Sequence, residues 1–248
     1  MPQDRPDYTP HTEIIDPEDI WGIARSMGLA ELAVRLGSIV TFDRRGDVVW
    51  FDDFEDNINK WHVGTDGTPG EISLSTDTAR NGAKSAKLIS PSTNGYSTYM
   101  NKYLPLLIAT NTGFEFSWAE GSDLDRFYIT LTFRQAAYEY RFRIKYNVSQ
   151  ERIEYYNSDG DWVILHPRIW ARTWLYHWNT WKIVVDYENL KWKRILANEF
   201  TFDMEGIAPY VGTGGLPHFT AASITAVSGA AGSKTLYVDD AIITQKEP

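Results

Sequence analysis

Residues 138 to 146 read Tyr-Glu-Tyr-Arg-Phe-Arg-Ile-Lys-Tyr, a strict alternation of large apolar and charged side chains. Successive side chains of a β-strand point to opposite faces, so this segment is wet on one face and dry on the other. Tyr138, Tyr140, Phe142, Ile144 and Tyr146 form the dry face; Glu139, Arg141, Arg143 and Lys145 form the wet one. A helix would scatter the same residues around its axis. A half-buried strand needs sister strands beside it and a second layer over it. The rest of the chain supplies both. Residues 152–156 and 161–165 make a hairpin around Asn157-Ser158-Asp159-Gly160, whose Asp-Gly pair suits a tight turn. Strand-like runs also occupy 71–75, 85–89, 96–103, 113–118, 127–133, 181–187, 192–197, 200–203, 219–227 and 235–244. About a dozen strands after residue 38, with turn signals between them, predict an all-β fold, a two-layer antiparallel β-sandwich. The glycine-rich stretches 212–215 and 229–232 read as surface loops, and the Thr-, Ser- and Ala-rich composition of 220–233 fits that reading.

The first 37 residues are of another kind. Pro2, Pro6 and Pro10 exclude helix at the start, so the segment reads as an extended arm. Asp16-Pro17-Glu18-Asp19 then has the cap, the first-turn proline and the acidic residues of a short helix start. The expected division is an arm with a short helix over 1–37 and a sandwich domain over 38–248.

Composition excludes several functions. The chain of 248 residues has no cysteine, which removes disulfides, thiolate metal sites and cysteine nucleophiles. Lys and Arg number 24 against 33 Asp and Glu, a net charge of −9, so no nucleic-acid binding is expected. No run approaches the roughly 18 apolar residues of a membrane span. The N-terminus lacks the apolar core of a signal peptide, so the expected site of synthesis is the cytoplasm.

Four segments resemble concanavalin A/laminin G-like and carbohydrate-binding-module-like β-sandwiches, in which jelly-roll topology is common. They are Phe51-Asp52-Asp53-Phe54-Glu55-Asp56 with Trp61, Thr78 through Leu88, Trp178 through Asp186, and Leu236-Tyr237-Val238-Asp239-Asp240-Ala241-Ile242-Ile243. The resemblance implies a structural calcium ion joining the first strand, the following hairpin and the last strand. The matching positions are Asp53, Glu55, Asn81, Asp239 and Asp240, whose oxygens suit Ca²⁺. Arg5-Pro6-Asp7-Tyr8-Thr9-Pro10 and the stretch from Gly37 to Arg44 look like the N-termini of tailed-phage virion proteins.

No catalytic signature accompanies the fold. The strand motif E-x-D-x-x-E of retaining glycosidases is missing; Glu115, Glu120 and Asp123 come nearest, at the wrong spacing. His11, His62, His166, His177 and His218 show no ligand spacing. The remaining concentration of unusual residues is aromatic: Trp162, Trp170, Trp174, Trp178, Trp181 and Trp192, with Tyr176 and Arg172 among them. Three readings stay open for it: inter-sheet core, subunit interface, or a platform on which sugars stack. The favoured expectation is a non-catalytic structural protein, a capsid-decoration or tail component of a virion or similar particle. Its partners would be other subunits, as a homo-oligomer held by the arm and the aromatic surface. The alternative is a glycan-binding module for attachment, and behind it a glycosidase on the same sandwich.

Overall fold

The computed structural model describes residues 46–121, 124–168, 175–229 and 232–248. The arm and helix expected over 1–37, Asp123, Trp170, Arg172 and Trp174 lie outside the described residues. Among the described residues the secondary structure is all β, in two antiparallel sheets of eight strands each.

The first sheet runs in the order Phe200–Asp203 (β13), Lys191–Ala197 (β12), Asn179–Asp186 (β11), Asn111–Glu120 (β6), Thr235–Gln245 (β16), Ser85–Ile89 (β4) and Glu71–Ser75 (β3). Asp47–Asp52 (β1) also pairs with β16, and so joins the chain's last strand to its first described one. The second sheet runs Trp162–His166 (β10), Arg152–Tyr156 (β9), Tyr138–Asn147 (β8), Arg126–Gln135 (β7), Phe219–Val227 (β15), Ser97–Leu104 (β5) and His62–Thr65 (β2). Tyr210–Thr213 (β14) pairs with β8 beyond the end of β9. The first half of the glycine-rich stretch expected to be a loop is therefore a paired strand.

Ring contacts between the sheets define the core. Trp118 of β6 meets Phe127 of β7 at 4.7 Å, Trp181 of β11 meets Tyr146 of β8 at 5.1 Å, and Trp192 of β12 meets Phe142 of β8 at 5.3 Å. Burying large aromatics between two sheets is the principal stabilising term in a fold without disulfides. The alternation in β8 is realised as expected from Tyr140 onward; Tyr138, at the strand's start, is 54% exposed. In β16 the inward residues change parity from Leu236 and Val238 to Ala241 and Ile243. A bulge between Asp239 and Ile242 makes the change, with Asp240 at φ 48°. The extra residue explains how Asp239 and Asp240 can both be buried side by side.

Candidate functional site

The outward positions of five neighbouring strands set the site. Strand register places Arg143 opposite Thr130, Thr130 opposite Ser223, Ser223 opposite Asn101 and Asn101 opposite His62. This is one polar row across β8, β7, β15, β5 and β2. The adjacent row carries Arg141, Thr132, Ala221 and Tyr103; beyond it lie Glu139, Arg134 and Phe219. In the first two of these rows β7 and β15 present the small Thr130, Thr132, Ala221 and Ser223, while the neighbouring strands present the larger Arg141, Arg143, Asn101 and Tyr103. The difference in height leaves a cleft of about 390 Å³ on the outer face of the second sheet.

Beside the cleft, next to Arg143, stands an aromatic and basic group of side chains. Trp162 stacks on Tyr128 with centroids 5.4 Å apart and 13° between planes, and Tyr156 lies 5.0 Å from Trp162 and 5.1 Å from Tyr210. Lys145 Nζ sits 4.5 Å over the Trp162 ring and ion-pairs with Glu154 at 2.5 Å. On the other side Tyr103 meets Phe219 edge-on at 5.1 Å, and Arg134 lies over the Phe219 ring at 4.6 Å.

The cleft is electrostatically uneven. Glu139 accepts hydrogen bonds from Arg134 Nε at 2.7 Å and from Arg141 Nε at 2.5 Å. Burial acts to raise the Glu139 pKa, but the two arginine bonds outweigh it and hold the carboxylate below its ordinary range. Arg143 donates from Nε to Thr130 Oγ1 at 3.1 Å and has no carboxylate in ion-pair range among the described residues. Burial, and then the charge of Arg141, lower its pKa from the ordinary arginine value.

The tryptophan-rich stretch that is continuous in sequence divides in space. Trp181 and Trp192 are 0% exposed and belong to the inter-sheet core. This corrects their candidacy as ligand or interface residues, because strand parity turns both inward. Trp162 alone of the described tryptophans in that stretch stands on the cleft's sheet. Trp178 donates from Nε1 to Thr78 Oγ1 at 3.2 Å, and Tyr176 packs on Tyr237 of the first sheet at 5.8 Å.

The residues matched to a calcium site gather around one loop. Asp239 Oδ2 accepts from the backbone N–H of Arg80 and Asn81 at 2.8 and 3.3 Å, and the Asn81 side-chain amide bonds to Asp240. Glu55 Oε1 accepts from the Ala83 and Lys84 N–H groups at 2.7 and 2.9 Å; Asp53 Oδ1 accepts from the Glu55 N–H at 3.3 Å. Arg80 Nη1 lies 3.7 Å from Asp240. Burial and the neighbouring Asp240 raise the Asp239 pKa to about 8. Two adjacent buried carboxylates and an asparagine amide are a hard-oxygen donor set that fits Ca²⁺ in kind. Asp53 and Glu55 are engaged with backbone amides beside it. Among the described residues no group of three or more Asp, Glu or His side chains is arranged to hold a metal ion.

Sequence reasoning exposed Arg141, Arg143 and Lys145 as a charged strand face but did not assign it a role. It missed Asn101, Tyr103, Ser223 and Phe219, which reach the cleft only through sheet pairing. Glu139 is the cleft's only carboxylate among the described lining residues. Glu115 lies buried on the first sheet near Lys182, and Glu120 accepts from the Leu124 N–H at 2.5 Å. The opposed carboxylate pair of a glycosidase is not assembled in the cleft from these groups.

The two-layer antiparallel β-sandwich is similar in fold to several solved structures. An endo-β-1,4-glucuronan lyase from the fungus Trichoderma reesei superposes with a TM-score of 0.55 at 11% identity, over 80% of this chain and 96% of the lyase. A carbohydrate esterase of the Shiga toxin-encoding bacteriophage phi24B gives 0.50 at 12% identity, over 81% and 99% of the two chains. The lectin UEA-II, in complex with galactose, gives 0.50 at 10% identity, over 81% and 99%. No protein-family model and no curated protein sequence matches the chain.

Proposed function

We propose that the protein binds a glycan in the cleft of the second sheet. The observation that carries this is the cleft's construction: a floor of Asn101, Thr130, Thr132, Ser223 and Thr225, lined also by the rings of Tyr99, Tyr103 and Phe219, with the Trp162–Tyr128 stack on the same sheet beyond Arg143. Sugar hydroxyls need closely spaced hydrogen-bond partners, and sugar C–H faces need flat apolar surface; this face offers both. Carbohydrate is also the stated substrate or ligand in the names of the three similar structures, although at their low identity the likeness extends to fold alone. The test is retention on a panel of immobilised polysaccharides, with assay for new reducing ends. Binding without cleavage supports a non-catalytic module; no retention on any polymer ends the reading.

Two narrower proposals accompany it. Calcium at Asp239 and Asp240 is supported by the donor set around the 80–84 loop. A homo-oligomeric virion or particle subunit is supported by the proline-punctuated arm, and is compatible with glycan attachment. Light scattering on the full-length and arm-deleted chain tests the second: a strictly monomeric full-length chain counts against it.

A further inference from the structure

The chain is acidic, at −9 overall, yet its cleft is basic. Arg134, Arg141 and Arg143 line it against one carboxylate, Glu139. These three arginines are not equivalent. Arg134 and Arg141 share Glu139, which neutralises part of their charge and fixes their guanidinium planes. Arg143 has no such partner. Its one side-chain hydrogen bond uses Nε, on Thr130, so the two terminal nitrogens are uncommitted among the described residues. Tyr128 and Tyr156 lie 5.9 and 6.0 Å from its guanidinium carbon and confine it. A half-buried guanidinium without a carboxylate in contact is costly, and burial has already weakened its hold on the proton. Such a group is suited to an anion that arrives with the ligand, since a carboxylate or sulfate accepts two parallel N–H bonds from one guanidinium.

We infer that the cleft selects acidic saccharides, with Arg143 receiving the anionic group while Arg134 and Arg141, clamped by Glu139, shape the flank. The inference rests on the glycan-binding reading and narrows it to a ligand class. Polyanion attraction to a −9 protein must be local, so a surface cation elsewhere serves as control. Lys246, 59% exposed and paired with Asp47 at 2.7 Å, fills that role.

The experiment measures binding of the full chain to four probes: polyglucuronate, polygalacturonate, a sulfated galactan and a neutral β-glucan. Arg143→Gln, Arg143→Lys and Lys246→Gln are compared with wild type, and circular dichroism verifies each fold. At least one acidic polymer is expected to bind better than the neutral one, with affinity falling as salt rises. Arg143→Gln should lose about tenfold to a hundredfold, Arg143→Lys less, and Lys246→Gln almost nothing. Whether the uronates or the sulfated polymer respond identifies the anion. Neutral and acidic polymers binding alike, with Arg143→Gln unaffected, overturns the acidic inference and leaves glycan binding intact. Equal loss from Arg143→Gln and Lys246→Gln overturns it too, as unspecific attraction. Failure of all four probes removes the glycan reading itself, and this inference with it.

Discussion

The two sheets both carry charged side chains on their outer faces, and Lys182 on the first and Arg143 on the second are treated in opposite ways. On the first sheet Lys182 is 1% exposed and pairs with Glu247 at 2.6 Å, while Arg194 reaches the same carboxylate at 3.1 Å. The chain's end is pinned there: the Glu247 N–H bonds to the Asn111 carbonyl, and the Asn111 amide returns a bond to the Glu247 carbonyl. Gly113 is required beneath, because a β-carbon would sit 2.5 Å from Thr244 Oγ1 and 2.9 Å from Lys182 Cε. On the second sheet Arg143 keeps its terminal nitrogens unpaired beneath half-exposed rings. Charge matched within the chain serves stability. Charge left for an outside partner serves binding. The difference separates a closed face from an open one without reference to any relative.

The largest effect is expected on the closed face. Lys182→Ala leaves Glu247 and Glu115 buried with less compensation, and removal of one partner from a buried pair costs about 3–5 kcal/mol. Chemical denaturation should show that loss, whereas Arg143→Gln should shift stability by under ~1 kcal/mol. Comparable losses for the two variants would erase the contrast between the faces.

Asp239 provides a pH-dependent version of the same test. Its folded pKa of about 8 lies above the ordinary 3.8. The native state therefore holds a proton that the unfolded chain has released. This contribution to stability is fully present below about pH 4 and is lost as pH rises through about 8. Thermal melts should accordingly fall between those limits, and Asp239→Asn should flatten the slope. Calcium needs the ionised carboxylate, so its stabilising effect should be greater at pH 8 than at pH 5. A melting temperature indifferent to calcium at both values returns Asp239 and Asp240 to the role of a loop clasp.

On the open face the ring pair is the sharper probe. Trp162→Ala or Tyr128→Ala should weaken glycan binding by about 1–2 kcal/mol, the scale of an exposed aromatic anchor, with the fold retained. Trp181→Ala should instead cost stability of about 3–5 kcal/mol, as a cavity in the core. Titration calorimetry alongside denaturation distinguishes the two tryptophans.

That pair also shows what was legible in the sequence. Strand periodicity is local, so the sandwich, the β9–β10 hairpin and the two faces of β8 could be read directly. Sheet order is not local. Asn101, Thr130, Ser223 and His62 form one row only because β5, β7, β15 and β2 become neighbours. The run 219–227 was legible as a strand, but not that its small Ala, Ser and Thr side chains in β15 make the low floor of the cleft. Grouping Trp162 with Trp181 and Trp192 by sequence distance joined residues that the fold assigns to opposite uses. The calcium positions were read through resemblance, and their shared loop contact became visible only with the bulge in β16.

The smallest expected effect is the most discriminating between sequence proximity and geometry. Tyr176 is 44% exposed and stands in the tryptophan-rich stretch, so composition alone would recruit it to a sugar platform. Its ring packs on Tyr237, whose hydroxyl bonds to Asp77, on the first sheet rather than the second. Tyr176→Ala should leave glycan affinity within about twofold of wild type and stability within ~0.5–1 kcal/mol. Titration with the polymer that wild type binds best provides the measurement. A loss as large as that of Trp162→Ala would extend the binding surface onto the first sheet, and the division of labour between the faces would no longer hold.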